Sequence, residues 1–526
     1  MAWNPLYFVF GAIYFAGLIL VGVWSARHKG DSNQYLNATS SLPTWVCATA
    51  CIAANCGSLD LFAMMALGAQ YGMLACHFYW IGAIPALLVV AFWLLPIYRS
   101  NRNLTILDFV ALHYGNSTRS LVALCMATMM LLIAGVSLYA AAQVLNDFLG
   151  WPFLRGVLIA AAVVLFYTWF GGFRATVYTE LFHFALVLLG VVPLFFLVAH
   201  QLGGFSGLMA SIPESRVHAW QGVPLFAPHA VMDRFGLVFG LGLVLSFGFW
   251  ATDFVQLQRA LAVSRERDAP FVPLSIGFAK LAFAILVAVT GVTAPLVLTA
   301  RGTGANWNDT LPNLMLHFYK SGWLFFGFMG LAASLISTFS NNVAGFTSAW
   351  VQSIYQKWIK PQASDAHYTR VSHLTNAAAV LLAIGAAYFA LGFQSLMEYI
   401  QLILSTFNAP LFALVALAVM MPRRAAAGGV AGFTIGLGCG VVHQVLAMTH
   451  VLHYGSQMAA NFYGAIIGFT IAFVSTIIAG TIRHSPERIA GVESAIGERS
   501  LAISWPVLAT GAVLACLFIG VDVIFW

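Results

Sequence analysis

Six polar residues crowd one apolar stretch of the sequence, SLISTFSNNVAG at residues 334–345. Ser334, Ser337, Thr338 and Asn341 follow the spacing i, i+3, i+4, i+7, which places them on one face of a helix. Hydroxyl, carbonyl and carboxylate oxygens are the ligands that hard cations such as Na⁺ prefer. The stripe therefore indicates a cation site or polar packing, because Ser and Thr also bond to carbonyls of their own or neighbouring helices.

Four charged residues lie inside other apolar stretches: Asp60, Glu180, Asp253 and Lys280. A charge at the centre of a bilayer costs about 3 kcal/mol or more unless it is paired. Such residues are candidates for ion or substrate sites, and the alternative is a structural ion pair or a side chain that reaches the membrane surface. Asp253 is a candidate partner for Lys280, although sequence gives no distance between them.

The elements that carry these residues are membrane helices. Hydrophobic residues make up 61% of the 526 residues and charged residues only 8%, and mean hydropathy is +0.88. We predict an all-α polytopic membrane protein of about fourteen helices, because apolar runs of about 20 residues recur along the chain. The predicted spans are 5–25, 43–70, 72–98, 117–148, 153–171, 175–199, 233–262, 271–299, 321–357, 371–393, 396–421, 428–450, 459–481 and 503–525.

The positive charges give these helices an orientation. Most of the 23 Lys and Arg residues, Arg259 among them, fall in or beside loops on one side of the predicted bundle. The opposite loops hold Arg155, Arg216, Arg234, Arg301 and Lys320. Because cytoplasmic loops are enriched in Lys and Arg, this asymmetry predicts that both termini lie outside. The seven cysteines lie in or beside apolar runs without metal-type or disulfide-type spacing, so we interpret them as small core residues.

Two predicted spans contain interruptions. One is CIAANCGSLDLFAMM at 51–65, and the other is GLGLVLSFGFWATDF at 240–254; each combines glycine with a buried Asp. Paired interruptions in two halves of a chain are typical of transporter sites, where broken helices expose carbonyls and helix ends at the membrane midplane. Close packing of helices through small residues is the alternative explanation.

Several motifs together resemble the solute:sodium symporter family, and within it the sodium/glucose cotransporter branch. They are ANCGS (54–58), PIYRSNRNLTILDFVALHYG (96–115), FYTWFGGFRATVYTELFHF (166–184), FWATDFVQLQRALA (249–262), GFAKL (277–281), SLISTFSNN (334–342) and EYIQ (398–401). Asp108, Glu180 and Phe254 stand where the family has Glu, Asp and Gln.

The resemblance implies a leucine-transporter-like core of five plus five helices in inverted repeats, with 43–70 and 233–262 as the two broken helices. It divides the chain into an extra helix at 1–30, a first repeat at 43–199, a second repeat with outer loops at 200–421, and extra helices at 422–526.

The resemblance also implies ion and substrate residues. The main sodium site maps to the backbone of Ala53, Cys56 and Ser334 and to the hydroxyls of Ser337 and Thr338. A second sodium site, held by some members of the family, maps to Ser337, Ser340 and Asn341 with Glu180 as the acid. The substrate contacts of sugar-transporting relatives map to Asn55, Asp60, Phe249, Trp250, Asp253, Lys280 and Gln401.

The substrate residues depart from the sugar pattern at two places. The acid that sugar-transporting relatives carry early in the next helix is absent, and Tyr79 or Trp80 stands there. Asp60 replaces a different polar residue. These departures argue against assigning glucose or galactose, and an additional Asp suits a polyol, a cationic solute or a zwitterionic solute.

We therefore predict a sodium-coupled symporter of the plasma membrane that imports a small polar solute such as a sugar or polyol. The alternatives are an amino acid or monocarboxylate substrate, proton coupling through Glu180 or Asp60, and a transporter-like sensor. We expect the lipid bilayer and a small molecule as partners, with neither nucleic acid nor an obligate protein partner. An enzyme is not expected: the sequence lacks the phosphate-loop and zinc-protease motifs, and Gly-x-Ser-Gly at 204–207 stands without other protease features.

Overall fold

The computed structural model describes residues 16–17, 42–100, 105–170, 173–298, 306–393, 395–421, 427–482 and 504–526. Its α-helices are Thr44–Asn55, Ser58–Tyr71, Ile84–Val89, Leu95–Ser100, Ile106–Tyr114, Asn116–Leu149, Phe153–Phe170, Phe173–Gln201, Gly204–Ser211, Glu214–Val217, Ser246–Thr252, Phe254–Leu261, Phe271–Phe283, Thr290–Val297, Thr310–Phe318, Ser321–Trp350, Asp365–Ala390, Leu396–Ile403, Ala409–Met420, Gly429–Met448, Gln457–Ile482 and Trp505–Ile524. π-Helical turns continue several of these helices, at Val90–Leu94, Gly236–Leu245, Ala284–Val289, Val351–Ile359 and Leu404–Asn408. The described part of the chain is thus helical, as predicted, and its only β contact is an isolated bridge.

Ten helices within the described ranges are long and apolar enough to cross a membrane, and four shorter apolar helices accompany them. Each predicted span from 43–70 onwards coincides with one or more consecutive helices, apart from the first part of the span 72–98. The total of about fourteen stays a prediction, because the span at 5–25 lies outside the described residues apart from residues 16 and 17.

Both predicted interruptions are breaks in the helices. The first lies at Cys56 and Gly57, between Thr44–Asn55 and Ser58–Tyr71. The second lies at Asp253, whose ψ of 108° leaves the helical region between Ser246–Thr252 and Phe254–Leu261. Small and acidic residues at each break therefore mark a true change of backbone direction.

The prediction of one helix over 72–98 is correct only from Ile84 onwards. Gly72 has a φ of +69°, which ends the preceding helix, and a 3₁₀ segment then runs over Gly72–Phe78. A regular helix begins only at Ile84, with Pro85 in its first turn, where a missing N–H costs no hydrogen bond. The sequence run 72–83 is apolar because it is buried, and not because it is a helix.

The two broken helices are tied to each other and to the bundle. The Leu42 N–H donates to the Ala262 carbonyl at 3.0 Å, and the Ser264 N–H donates to the Leu42 carbonyl at 2.9 Å. At Gly68 the backbone packs directly on the π-helical segment Ala284–Val289, since a Cβ there would lie 2.6 Å from the Ala288 carbonyl oxygen. Small residues thus bring the helices to backbone contact, as is usual in membranes.

Candidate functional site

A central cavity of about 210 Å³ lies between the two helix breaks. All seven residues that the resemblance assigns to the substrate line it: Asn55, Asp60, Phe249, Trp250, Asp253, Lys280 and Gln401. They come from both broken helices, from the helix Phe271–Phe283 and from the helix Leu396–Ile403. The fold therefore gathers into one place residues that are up to 346 positions apart in the sequence.

Asp60 and Lys280 form an ion pair in the wall of this cavity. The Lys280 Nζ donates to Asp60 Oδ2 at 3.1 Å, and the Tyr79 hydroxyl donates to the same oxygen at 2.7 Å. The Lys280 Nζ also lies 4.4 Å from the centre of the Tyr79 ring, within the range of a cation–π contact. The side chains of Lys280 and Asp60 are 5% and 18% exposed, so the carboxylate is the more open member of the pair.

The partner of Lys280 is therefore Asp60, and the alternative pairing with Asp253 is wrong. Asp253 instead caps the second half-helix, because its Oδ1 accepts from the Gln256 N–H at 3.1 Å. Aromatic residues complete this side of the cavity: Phe249 and Trp250 meet edge to face, with their ring centres 5.1 Å apart. The Trp250 indole N–H donates to the Gly82 carbonyl at 3.2 Å, which fixes the ring.

Two amide side chains at the cavity have unused acceptors. Asn55 Oδ1 and Gln401 Oε1 are buried, and neither accepts a hydrogen bond from the described part of the chain. A buried acceptor without a donor is costly. Together with the more open carboxylate of Asp60, these oxygens suit a ligand with several hydrogen-bond donors.

A much smaller cavity, the ion pocket, lies against the first break and has a volume of about 10 Å³. It is lined by Ala53, Ala54, Glu180, His183, Phe184, Ser334, Ser337, Thr338 and Asn341. A space of this size holds about one water-sized particle. Four of the five residues implied for the main sodium site line this pocket, and the fifth, Cys56, lies at the break beside it.

The ion pocket has the oxygen donors that a sodium ion requires. A Cβ at Gly57 would lie 2.9 Å from both the Ala53 carbonyl oxygen and Ser334 Oγ, and 3.6 Å from Thr338 Oγ1. Ser337 Oγ is buried without a hydrogen-bond partner in the described chain. A carbonyl and two hydroxyl oxygens thus lie close together at this break, and a further hydroxyl, Ser337 Oγ, has no partner among the described residues; both features fit Na⁺.

Two hydroxyls of the stripe also serve the protein itself. Ser334 Oγ accepts from the Ser58 N–H at 2.8 Å and so caps the helix Ser58–Tyr71. Thr338 Oγ1 donates to the Ser334 carbonyl at 3.0 Å, which is a hydrogen bond within its own helix. Because a hydroxyl that donates keeps its lone pairs, Thr338 remains able to coordinate a cation.

Glu180, on the far wall of the ion pocket, is part of a buried ion pair. The Arg259 Nε donates to Glu180 Oε2 at 3.0 Å, and a second nitrogen of the same guanidinium contacts Oε1. The Asn341 side-chain amide also donates to Oε1. Ser340, implied with them for a second sodium site, is buried but is not among the residues that line the pocket.

The sequence did not identify Arg259 as a site residue, and it did not predict the contact of Tyr79 with Asp60. Arg259 lies three residues inside the end of a predicted span and was assigned to an inside loop, but it is only 2% exposed. The signal that could have identified it is the buried acid Glu180, which requires a cationic partner. Tyr79 lies 19 residues after Asp60, beyond the end of the helix at Gly72 and the 3₁₀ segment that follows, so no spacing rule of a single helix relates the two residues.

Comparison with known proteins gives a family match. Residues 35–436, well over half of the chain, match the sequence model of the sodium:solute symporter family.

Two curated relatives show the same similarity. The sodium/glucose cotransporter of Vibrio parahaemolyticus is 24% identical over 445 residues, which cover 80% of this chain and 82% of that protein. Sodium/glucose cotransporter 1 of Oryctolagus cuniculus is 22% identical over 515 residues, which cover 89% of this chain and 77% of that protein.

Solved structures show the fold. A Na⁺-coupled sialic acid symporter in a substrate-bound, outward-open state superposes with a TM-score of 0.75 at 18% identity, covering 91% of this chain and 97% of that one. MhsT in complex with L-phenylalanine gives a TM-score of 0.52 at 15% identity, covering 82% of this chain and 98% of that one. These neighbours have the leucine-transporter-like fold.

Proposed function

The chain belongs to the sodium:solute symporter family, and on that premise we propose that it imports a small polar solute, a sugar or polyol, together with Na⁺. We further propose that it works in the plasma membrane by alternating access. The ion pocket would hold the coupling ion through Ala53, Cys56, Ser334, Ser337 and Thr338. The central cavity would hold the solute.

One observation carries the proposal: the two cavities share walls. Ala54, Thr338 and Asn341 line both the central cavity and the ion pocket. A particle in the ion pocket thus touches residues that also form the floor of the solute cavity. These shared residues provide a direct route by which occupation of one cavity would change the free energy of binding in the other, which is the physical requirement for coupling.

A solute rich in hydroxyl groups fits the polar atoms of the central cavity. Asp60 and Lys280 neutralise each other, so the pair offers acceptors and donors without demanding a net charge on the ligand. Asn55 and Gln401 add buried acceptors that lack donors within the described residues. A neutral polyol satisfies these groups and leaves the ion pair intact, whereas a monocarboxylate would compete with Asp60 for Lys280.

The mechanism follows from the position of the ion pocket. Na⁺ would join the first half-helix, Thr44–Asn55, to the long helix Ser321–Trp350, because its ligands come from both. Holding these helices together favours the state in which the solute cavity is complete, and release of the ion frees them to move apart.

A charge that crosses a potential of about 100 mV gains about 2.3 kcal/mol. A tenfold concentration ratio adds about 1.4 kcal/mol. One Na⁺ therefore supports accumulation of about 500-fold.

A ligand screen with and without sodium tests the function. The purified protein is heated with sugars, cyclitols, amino acids and monocarboxylates in sodium buffer or in choline buffer. We expect a polyol or sugar to raise the midpoint of unfolding in sodium only, since a ligand stabilises the state that binds it. Equal stabilisation in choline would contradict sodium coupling, and uptake into liposomes driven by a pH gradient without sodium would establish proton coupling instead.

The ion pocket itself is tested by Thr338→Ala and Ser337→Ala. We expect each change to raise the sodium concentration for half-maximal uptake by at least tenfold, because each removes one ligand. Thr128→Ala is the matched control: Thr128 Oγ1 also donates to the carbonyl four residues earlier, at 2.9 Å, but it is exposed on another helix. Unchanged sodium dependence in both pocket variants would disprove the assignment of the main site.

A further inference from the structure

Glu180, Arg259 and Asn341 form a closed cluster beside the ion pocket. Glu180 and Arg259 are 1% and 2% exposed. One carboxylate oxygen accepts from Arg259 Nε, and the other accepts from a second nitrogen of Arg259 and from the Asn341 amide. The cluster joins three elements: the helix Phe173–Gln201, the half-helix Phe254–Leu261 and the helix Ser321–Trp350.

These contacts use the acid that a second sodium ion would need. Both Glu180 oxygens are engaged, and the guanidinium already neutralises the carboxylate. A second cation next to this cluster would add an uncompensated positive charge to a site with almost no access to water, which is strongly unfavourable. Glu180 stands where the resemblance gives Asp, and its carboxylate meets two guanidinium nitrogens at once.

Space and geometry point in the same direction. The residues implied for the two sodium sites, apart from Cys56 and Ser340, surround a single pocket of about 10 Å³. That volume suits one small particle and not two. Ser340 does not line the pocket, so the second set lacks one hydroxyl as well as a free carboxylate.

We propose that Arg259 is a built-in cation that replaces a second sodium ion, so that this chain binds one Na⁺ in each transport cycle. This inference rests on the proposed function, since it concerns the coupling ion of the same pocket. Its consequence is a lower concentrating power. At about 100 mV and a tenfold sodium gradient the limit is about 500-fold, whereas two ions would square that value.

Direct counting of bound sodium tests the proposal without relying on transport. Purified full-length protein is equilibrated with radioactive sodium, and the bound ion is measured per chain over a range of concentrations. We expect one ion per chain and a Hill coefficient of 1. Two ions in the unmodified protein would overturn the proposal and leave sodium coupling intact. No bound sodium would instead contradict the proposed function, so the two failures are distinguishable.

Substitutions then assign the effect to Arg259. In Arg259→Met the Glu180 carboxylate loses its cation, and we expect a second, weaker sodium site whose binding is lost again in Glu180→Gln/Arg259→Met. Arg259→Lys keeps a positive charge and should stay at one ion. A folded Arg259→Met protein that still binds one ion would overturn the role of Arg259. If that variant does not fold, the count in the unmodified protein decides the stoichiometry on its own.

Discussion

Gly57 shows how a single missing side chain shapes a site. Its φ of −78° suits any residue, so the backbone does not require glycine there. The available space requires glycine, because a Cβ would lie 2.9 Å from the Ala53 carbonyl oxygen and from Ser334 Oγ. The room left by this glycine lets the Ala53 carbonyl and Ser334, both in the wall of the ion pocket, come close to each other.

We expect Gly57→Ala to lower sodium affinity by at least tenfold while the protein stays folded, because the new methyl group displaces the Ala53 carbonyl, an implied ion ligand. Sodium binding and thermal unfolding measure the two effects separately. Gly385→Ala is a suitable control, since a Cβ at Gly385 meets nothing within 4 Å. Equal sodium affinity in Gly57→Ala and Gly385→Ala would show that the ion binds elsewhere.

At the ion pair Asp60–Lys280 we expect a coupling energy of about 2 kcal/mol in a double-mutant cycle with Asp60→Asn and Lys280→Met. The reason is that Lys280 is almost wholly buried and loses its counter-charge. The pair Asp108–Arg119, with its carboxylate 33% exposed, is the comparison and should give less than about 1 kcal/mol. Similar coupling energies for the two pairs would contradict a special role for the central pair.

Sequence identifies such residues better than their partners. Asp60, Glu180 and Lys280 could be recognised because a charge within an apolar run is rare and costly. Their partners, Lys280 for Asp60 and Arg259 for Glu180, lie 220 and 79 positions away. Periodicity relates neighbours on one helix only, so these contacts between helices could be found only in the folded chain.

At the scale of elements, the broken helices depend on caps from other parts of the chain. At the start of the helix Ser58–Tyr71, the Ser334 hydroxyl accepts a hydrogen bond from the Ser58 N–H. Its far end is held by Arg216, which donates to the carbonyls of Gly68 and Ala69. The Tyr71 hydroxyl there donates to Glu398 at 2.6 Å. The sequence predicted the break from its glycine and acid, but it could not predict these caps, since they come from distant helices.

We expect Ser334→Ala to lower the free energy of unfolding by about 1 kcal/mol, because the buried Ser58 N–H loses its acceptor. Hydrogen exchange at the start of the helix Ser58–Tyr71 should become faster. Ser275→Ala is the control, because its hydroxyl bonds only to the Phe271 carbonyl of its own helix among the contacts found. Unaltered exchange around Ser58 would show that the cap contributes nothing.

At the scale of the whole molecule, the order of the apolar helices within the described ranges could be predicted, because runs of apolar residues along the chain mark them. The segment 72–83 was misjudged because burial makes irregular backbone as apolar as a helix. The prediction of which side of the membrane each loop lies on rests on the distribution of Lys and Arg alone.

Cysteine labelling tests that orientation. We expect Ser206→Cys to react with a membrane-impermeant maleimide in intact cells and Gln362→Cys to react only after the cells are opened. Both positions are exposed in the structure and lie on loops that we predict to be outside and inside. The unmodified protein, with Cys516 exposed on its helix, gives the background. Reaction of Gln362→Cys in intact cells would invert the orientation.

The ion pair in the central cavity also bears on how the chain enters the membrane. Asp60 and Lys280 are 220 positions apart, so Asp60 leaves the ribosome long before its counter-charge exists. Its segment, Ser58–Phe78, has a mean hydropathy of only 1.3 and is 78% buried in the finished protein. An Asp adds about 3 kcal/mol to the cost of insertion. We therefore expect stable insertion of this early segment to require the helix that carries Lys280, so shortened chains that end before Lys280 should be recognised and degraded by membrane quality control.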